Sequence, residues 1–240
     1  ILILRNFKFS IYVLMVLSVL LHKELFSFYK WDLMPIRAFM LALSCAGVVK
    51  ASLSYIKERS FKKVFRFVKD PIILSLLALW VIRGISIFFS LNVQASLLLY
   101  AFFTTILFLA GFLYVELKKD PEKVLHYLRF YIYVVFALNI FGYFQLFVYH
   151  FYNLIIGAFW NIPGNISRVG ATFWDVNHYG SLISALIPLV AIFILTEKGL
   201  WKRLLNIVIL ISFGASLLLT NSRSAWIMAG VSFLVLFCIL

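Results

Sequence analysis

The chain has 240 residues, 64% of them hydrophobic and only 13% charged, with a mean hydropathy of +1.04. Soluble domains run nearer half apolar and a quarter charged, so a water-soluble globule is excluded, as is a single anchor on a soluble domain. The formal net charge of +13 would suggest nucleic acid in a soluble protein. Here the basic residues sit in short segments between apolar runs, so topology accounts for them and no nucleic-acid partner is implied.

Eight apolar runs follow one another, at about 9–28, 33–53, 71–91, 95–115, 124–150, 178–196, 203–220 and 225–240. The first is interrupted by His22, Lys23 and Glu24, and the last is cut short at Leu240. The expected fold is therefore all-α: a polytopic helical bundle of about eight transmembrane helices forming one domain over 1–240. Ile1 is not a methionine and Leu240 falls within an apolar run, so both ends read as cuts and the fragment alone is expected to be inactive. Asp70-Pro71 and Asp120-Pro121 each place an N-cap residue before a proline at the first helical position. Pro188 is expected to kink the sixth run. Cys45 and Cys238 both fall in apolar runs and read as small apolar filler.

Orientation follows from the lysines and arginines. With a cytoplasmic N-terminus, sixteen of the 22 lie in inside segments and five outside (Lys23, Lys30, Arg37, Arg168 and Arg223), with Arg83 inside a span. The basic stretch 57–69 carries Phe61, Val64, Phe65 and Val68 at helical spacing, as an amphipathic helix on the inner leaflet would. A solvated basic loop is the plainer reading. Residues 151–177 form the longest hydrophilic excursion, an extracytoplasmic loop rich in aromatics that suit headgroup depth.

The polar residues that topology does not use are the informative ones. Arg83 lies twelve residues into its run, about 18 Å from the expected cytoplasmic end at ~1.5 Å per residue. A charge there is costly unless it pairs, snorkels or lines a wet cavity. Arg223, beside Ser222 and Ser224, falls in the first turn of the eighth span, where the helix dipole disfavours a cation. Backbone N–H groups, hydroxyls and a guanidinium together would hold an anion there. The plainer alternative is that Ser222 caps the helix and Arg223 reaches lipid phosphates. Asp175 and Asn177 likewise read either as site residues or as N-caps, and His178 either as a base or as an interfacial histidine. Arg168, Asp175, His178 and Arg223 are expected on the outer side, with Arg83 leaning that way. Arginines gathered at one membrane face suit a phosphate or pyrophosphate. The inner face carries no glycine-rich nucleotide loop and no acidic metal cluster.

Two stretches carry a resemblance. Arg168-Val-Gly-Ala-Thr-Phe-Trp-Asp-Val-Asn-His-Tyr-Gly180 resembles the outer-loop pattern of the O-antigen ligase and polymerase superfamily of bacterial envelope glycosyltransferases. Leu219-Thr-Asn-Ser-Arg-Ser-Ala-Trp226 resembles that superfamily's Thr-x-Ser-Arg-x-Ala/Gly element. The resemblance covers about residues 160–240. It implies an inner-membrane enzyme that moves a glycan from undecaprenyl pyrophosphate to a glycan or lipid acceptor hydroxyl at the outer leaflet, without a metal or other cofactor. Arg168 and Arg223 would bind the donor pyrophosphate. The superfamily's proposed general base, a histidine, lies in a later outer loop, expected beyond residue 240, and His178 does not match it. The candidate substrate-binding residues are thus Arg168, Arg223, Arg83, Asp175, Asn177 and Ser222. The competing reading is a lipid-linked sugar flippase or a secondary transporter. All nine carboxylates lie in loops or at span ends, which weighs against proton coupling.

Overall fold

The computed structural model describes residues 7–20, 26–28, 31–33, 40, 42, 44, 70–118, 120–154, 159–160, 168–171, 173 and 175–239. The expected second span (33–53, with Cys45) lies almost wholly outside the described residues, as do the basic segment 57–69 and much of the loop at 151–177. The described elements are α1 (Phe7–Leu20), β1 (Phe26–Phe28), β2 (Trp31–Leu33), α2 (Pro71–Ser86), α3 (Val93–Lys118), α4 (Pro121–Tyr152), β3 (Phe159–Trp160), β4 (Arg168–Val169), α5 (Val176–Thr196), α6 (Leu200–Thr220) and α7 (Arg223–Ile239). A 3-10 turn, Ile87–Phe89, extends α2. Among the described residues the protein is all-α apart from two short ladders, β1 with β2 and β3 with β4.

Among the described residues, five helical segments are long and apolar enough to cross a membrane: Pro71–Phe89, Val93–Val115, Glu122–Tyr152, Val176–Thr196 and Leu200–Thr220. The shortest, with 19 residues, reaches about 28 Å and the 21-residue helices about 31 Å, against a hydrocarbon core of about 30 Å. The chain is thus built as a multi-pass membrane protein. The apolar stretches Phe9–Val19 and Arg223–Cys238 are shorter than the other five. Cys238 is an exposed free thiol.

The helix starts follow the sequence signals. Asp70 accepts from the backbone N–H of Ile72 at 3.0 Å, with Pro71 at the first helical position. Asp120 accepts from the N–H of Lys123 at 3.4 Å. α5 runs through Pro188 without interruption, although the missing proline N–H leaves the Ser184 carbonyl without its usual helical donor.

The chain divides into two compact units, Ile1–Leu14 with Phe28–His126, and Met15–Ser27 with Tyr127–Leu240. In the first, α2 and α3 pair as a hairpin. Trp80 donates through Nε1 to the Thr104 hydroxyl at 2.9 Å and stacks on Tyr100 at 5.8 Å. Only 6% of each span is buried, so both helices turn apolar sides outward, as lipid or another helix requires. At the far end of the pair, Asp70 also accepts from the Tyr114 hydroxyl (3.0 Å to Oδ2) and from the Lys118 ammonium. Tyr114 and Lys118 are four residues apart, on one face of α3.

The hydrogen bond from Lys118 holds the Asp70 carboxyl below its ordinary range, and the same bond raises the Lys118 ammonium. The depressed Asp70 contributes stability above about pH 4 that is lost as pH falls through its lowered value. The raised Lys118 contributes below about pH 10 and loses that contribution as pH rises through its raised value. The clip is therefore fully formed in the window between. Asp70→Asn in detergent micelles is expected to lower the unfolding midpoint, followed by tryptophan fluorescence, at pH 7. The gap between variant and parent should narrow as pH falls below about 4 and through the depressed carboxyl value. A gap that keeps its size throughout that titration would show that charge has no part in the clip.

In the second unit, α5 packs closely on both α6 and α7. Its buried face (Tyr179, Ile183, Ile187, Val190) meets Ile209, Phe213 and Leu217 of α6, and Ala225 and Ala229 of α7. α4 adds Ile132, Val135 and Leu138 to this core and is also tied on by polar side chains. Near its start, Arg129 pairs with Glu197 at the end of α5 at 2.8 Å, and its guanidinium lies 5.1 Å from the Phe193 ring. Near the other end of α4, Gln145 donates to the carbonyl of Ala171, just before α5, at 3.0 Å. α4 and α5 are therefore antiparallel. This fixes two ends of the unit: one with Arg129 and Glu197, the other where α5 and α7 begin and α6 finishes.

Candidate functional site

The second end gathers most of the residues singled out from sequence. Asp175 is the N-cap of α5, its side chain accepting from the N–H of Asn177 at 2.8 Å. Its geometry is thus that of a cap, and Asn177 and His178 stand exposed in the first turn behind it. Next come Tyr179 and Gly180, both buried.

α6 ends at Thr220, and Asn221 takes the left-handed conformation (φ 48°), which asparagine tolerates better than most residues. Its N–H returns to the Leu218 carbonyl at 3.0 Å. The carbonyl of Leu217 is doubly satisfied, by the Thr220 hydroxyl at 2.8 Å and by the indole N–H of Trp226 at 2.9 Å. The turn is therefore closed by its own side chains. α7 begins at Arg223, and the Trp226 N–H bonds to the Ser222 carbonyl. Ser222 is buried, its hydroxyl 3.2 Å from that of Ser224, whereas Arg223 and Ser224 are exposed.

Gly180 is where the two sequence stretches meet. A Cβ added there would lie 3.0 Å from Ala225 Cβ, 3.1 Å from Thr220 Oγ1 and 3.4 Å from Ser222 Cβ. The missing side chain lets the start of α5 press directly against the turn that presents Arg223. The strand carrying Arg168 pairs antiparallel with β3, Trp160 opposite Arg168, and packs on α6. Between that strand and α5, Ala171 is fully buried with φ 52°, a conformation costly for alanine, where its carbonyl receives the Gln145 amide. Phe173 lies over Tyr179 at 5.9 Å. One end of the unit thus brings together the Asp175 cap, Asn177, His178 and the Arg223 turn, with the backbone of Arg168 held against α6.

Arg83 belongs to the first unit and has a local account. It sits exposed in the last turn of α2, where the helix dipole favours a cation, with its guanidinium carbon 5.3 Å from the Phe103 ring centroid. The Ser86 hydroxyl bonds to its carbonyl at 2.7 Å.

Sequence reading passed over a set of neutral polar residues beneath the site. Asn139 of α4 is fully buried; its Oδ1 accepts from the Tyr179 hydroxyl at 2.6 Å and from the Ser216 hydroxyl. Its Nδ2 donates to Ser212 Oγ at 2.7 Å, and the Tyr143 hydroxyl donates to the Ser212 carbonyl at 2.5 Å. The available signal was an asparagine and a glutamine inside an otherwise apolar run, and two serines four residues apart on α6. Comparison with protein-family models, with curated proteins and with solved structures gives no match.

Proposed function

We propose that the protein is a metal-independent polysaccharide ligase or polymerase of the bacterial inner membrane. It would move a glycan from undecaprenyl pyrophosphate to an acceptor hydroxyl on the extracytoplasmic side. The observation that carries this reading is the contact at Gly180. The two stretches that resemble the O-antigen ligase superfamily, 39 residues apart in sequence from Gly180 to Leu219, abut there and leave Arg223 exposed at the same end of the unit as the Asp175 cap.

In this reading Arg223 and Arg168 take the donor pyrophosphate, and the first-turn N–H groups and hydroxyls of α7 complete the anion surface. Guanidinium groups would then neutralise the charge growing on the leaving pyrophosphate, as a metal does in other transferases. Asp175, Asn177 and Ser222 shape that surface through the helix starts. The proposed topology has eight spans with the N-terminus inside. The charge distribution in the second unit supports it: Arg129, Lys198, Lys202 and Arg203 lie at or near one end, against Arg168 and Arg223 at the other.

A strain lacking the protein separates transfer from transport. Lipid-linked glycan is expected to accumulate on the outer leaflet, accessible to an added glycosidase in spheroplasts. Accumulation on the inner leaflet would instead identify a flippase.

A further inference from the structure

Below the exposed surface, one amide joins three helices. Asn139 takes two hydroxyl donors on Oδ1, one from Tyr179 near the start of α5 and one from Ser216 near the end of α6, and gives Nδ2 to Ser212. Tyr179 and Ser216 each stand within about one helical turn of the ends that form the site. Tyr179 directly precedes Gly180, the glycine on which the Thr220–Ala225 turn rests. Asn139, Tyr179 and Ser216 are all buried, so these hydrogen bonds have no competition from water. A hydrocarbon interior gives such a group no other partner, and apolar packing alone does not set how far one helix slides along another.

We infer that Asn139 is a positioning residue: it sets the register of the start of α5 against the end of α6, and thereby the spacing between the Asp175 cap and Arg223. The role in transfer rests on the proposed function; the register itself does not. Asn139 acts through Tyr179 and Ser216 and has no contact with the donor.

The test uses the whole protein in native membranes, with Cys45 and Cys238 replaced by serine and a single reporter, Val176→Cys, at a buried position in the first turn of α5. Labelling by a membrane-impermeant maleimide is expected to be slow in this background and about five-fold faster with Asn139→Leu, the size of a lost interhelical hydrogen bond in a membrane protein. Tyr179→Phe should accelerate it in the same direction, and the double variant should add nothing beyond Asn139→Leu. Ile209→Val, a buried apolar change on α6, should leave it slow. Equal labelling with and without Asn139, or full additivity with Tyr179→Phe, would overturn the assignment. Binding of inorganic pyrophosphate by the detergent-solubilised parent and Asn139→Leu proteins is measured alongside. Weaker binding by the variant supports the link to the site. Faster labelling with no pyrophosphate binding even by the parent would leave the register standing and count against the donor site alone.

Discussion

Arg223→Ala is expected to lower glycan transfer at least ~100-fold while membrane insertion and thermal stability stay at the parental level. Loss of a group that stabilises charge developing on a leaving group costs on the order of 10²–10³ in rate. Folding has little stake in this side chain. Arg223 is exposed, and it stands at the first position of α7, where the dipole disfavours a cation, so its removal is neutral or slightly stabilising. An activity loss without a stability loss is therefore the signature of a ligand-binding arginine. Arg223→Lys keeps the charge but not the planar fork, and should fall between parent and alanine. Arg168→Ala is expected to behave like Arg223→Ala. The assay is transfer of lipid-linked glycan in membranes of cells making the complete polypeptide, with protein level checked by immunoblot. Normal transfer by both variants would sink the pyrophosphate site.

Gly180→Leu should have the second largest effect, for a different reason. The added Cβ meets Ala225 Cβ at 3.0 Å and Thr220 Oγ1 at 3.1 Å, and Cβ atoms cannot swing away without moving backbone. Alanine alone should cost about 1–3 kcal/mol as overpacking, and leucine more. Insertion should survive, because the substitution makes α5 more apolar. What should fail is the packing of α5 on the Thr220–Ala225 turn, seen as a lower unfolding midpoint together with lost transfer. Gly180→Ala with Ala225→Gly removes the closest clash and should recover part of the midpoint, the remainder being the Thr220 contact. A Gly180→Ala protein that melts and transfers like the parent would show that this approach is dispensable.

The sequence by itself determined the material of this protein. Hydropathy is a sum over residues and needs no tertiary information, so the membrane class was legible, as were the runs that became α2 to α6. Caps are local as well: Asp70, Asp120 and Asp175 all sit where short-range hydrogen-bond chemistry puts them. Arg168 and Arg223 stood out because a charge in or beside an apolar run is conspicuous in one dimension.

Only the tertiary structure could show that Gly180 rests on the Thr220–Ala225 turn, that Asn139 binds Tyr179, Ser212 and Ser216, and that Arg129 pairs with Glu197. It also assigned Arg83 to the α2–α3 hairpin, over Phe103, in a different compact unit from Arg223. The reason is the same each time. A glycine, an asparagine or a serine in a helix carries no mark of its partner, because the partner is chosen by how helices far apart in sequence slide and turn against one another.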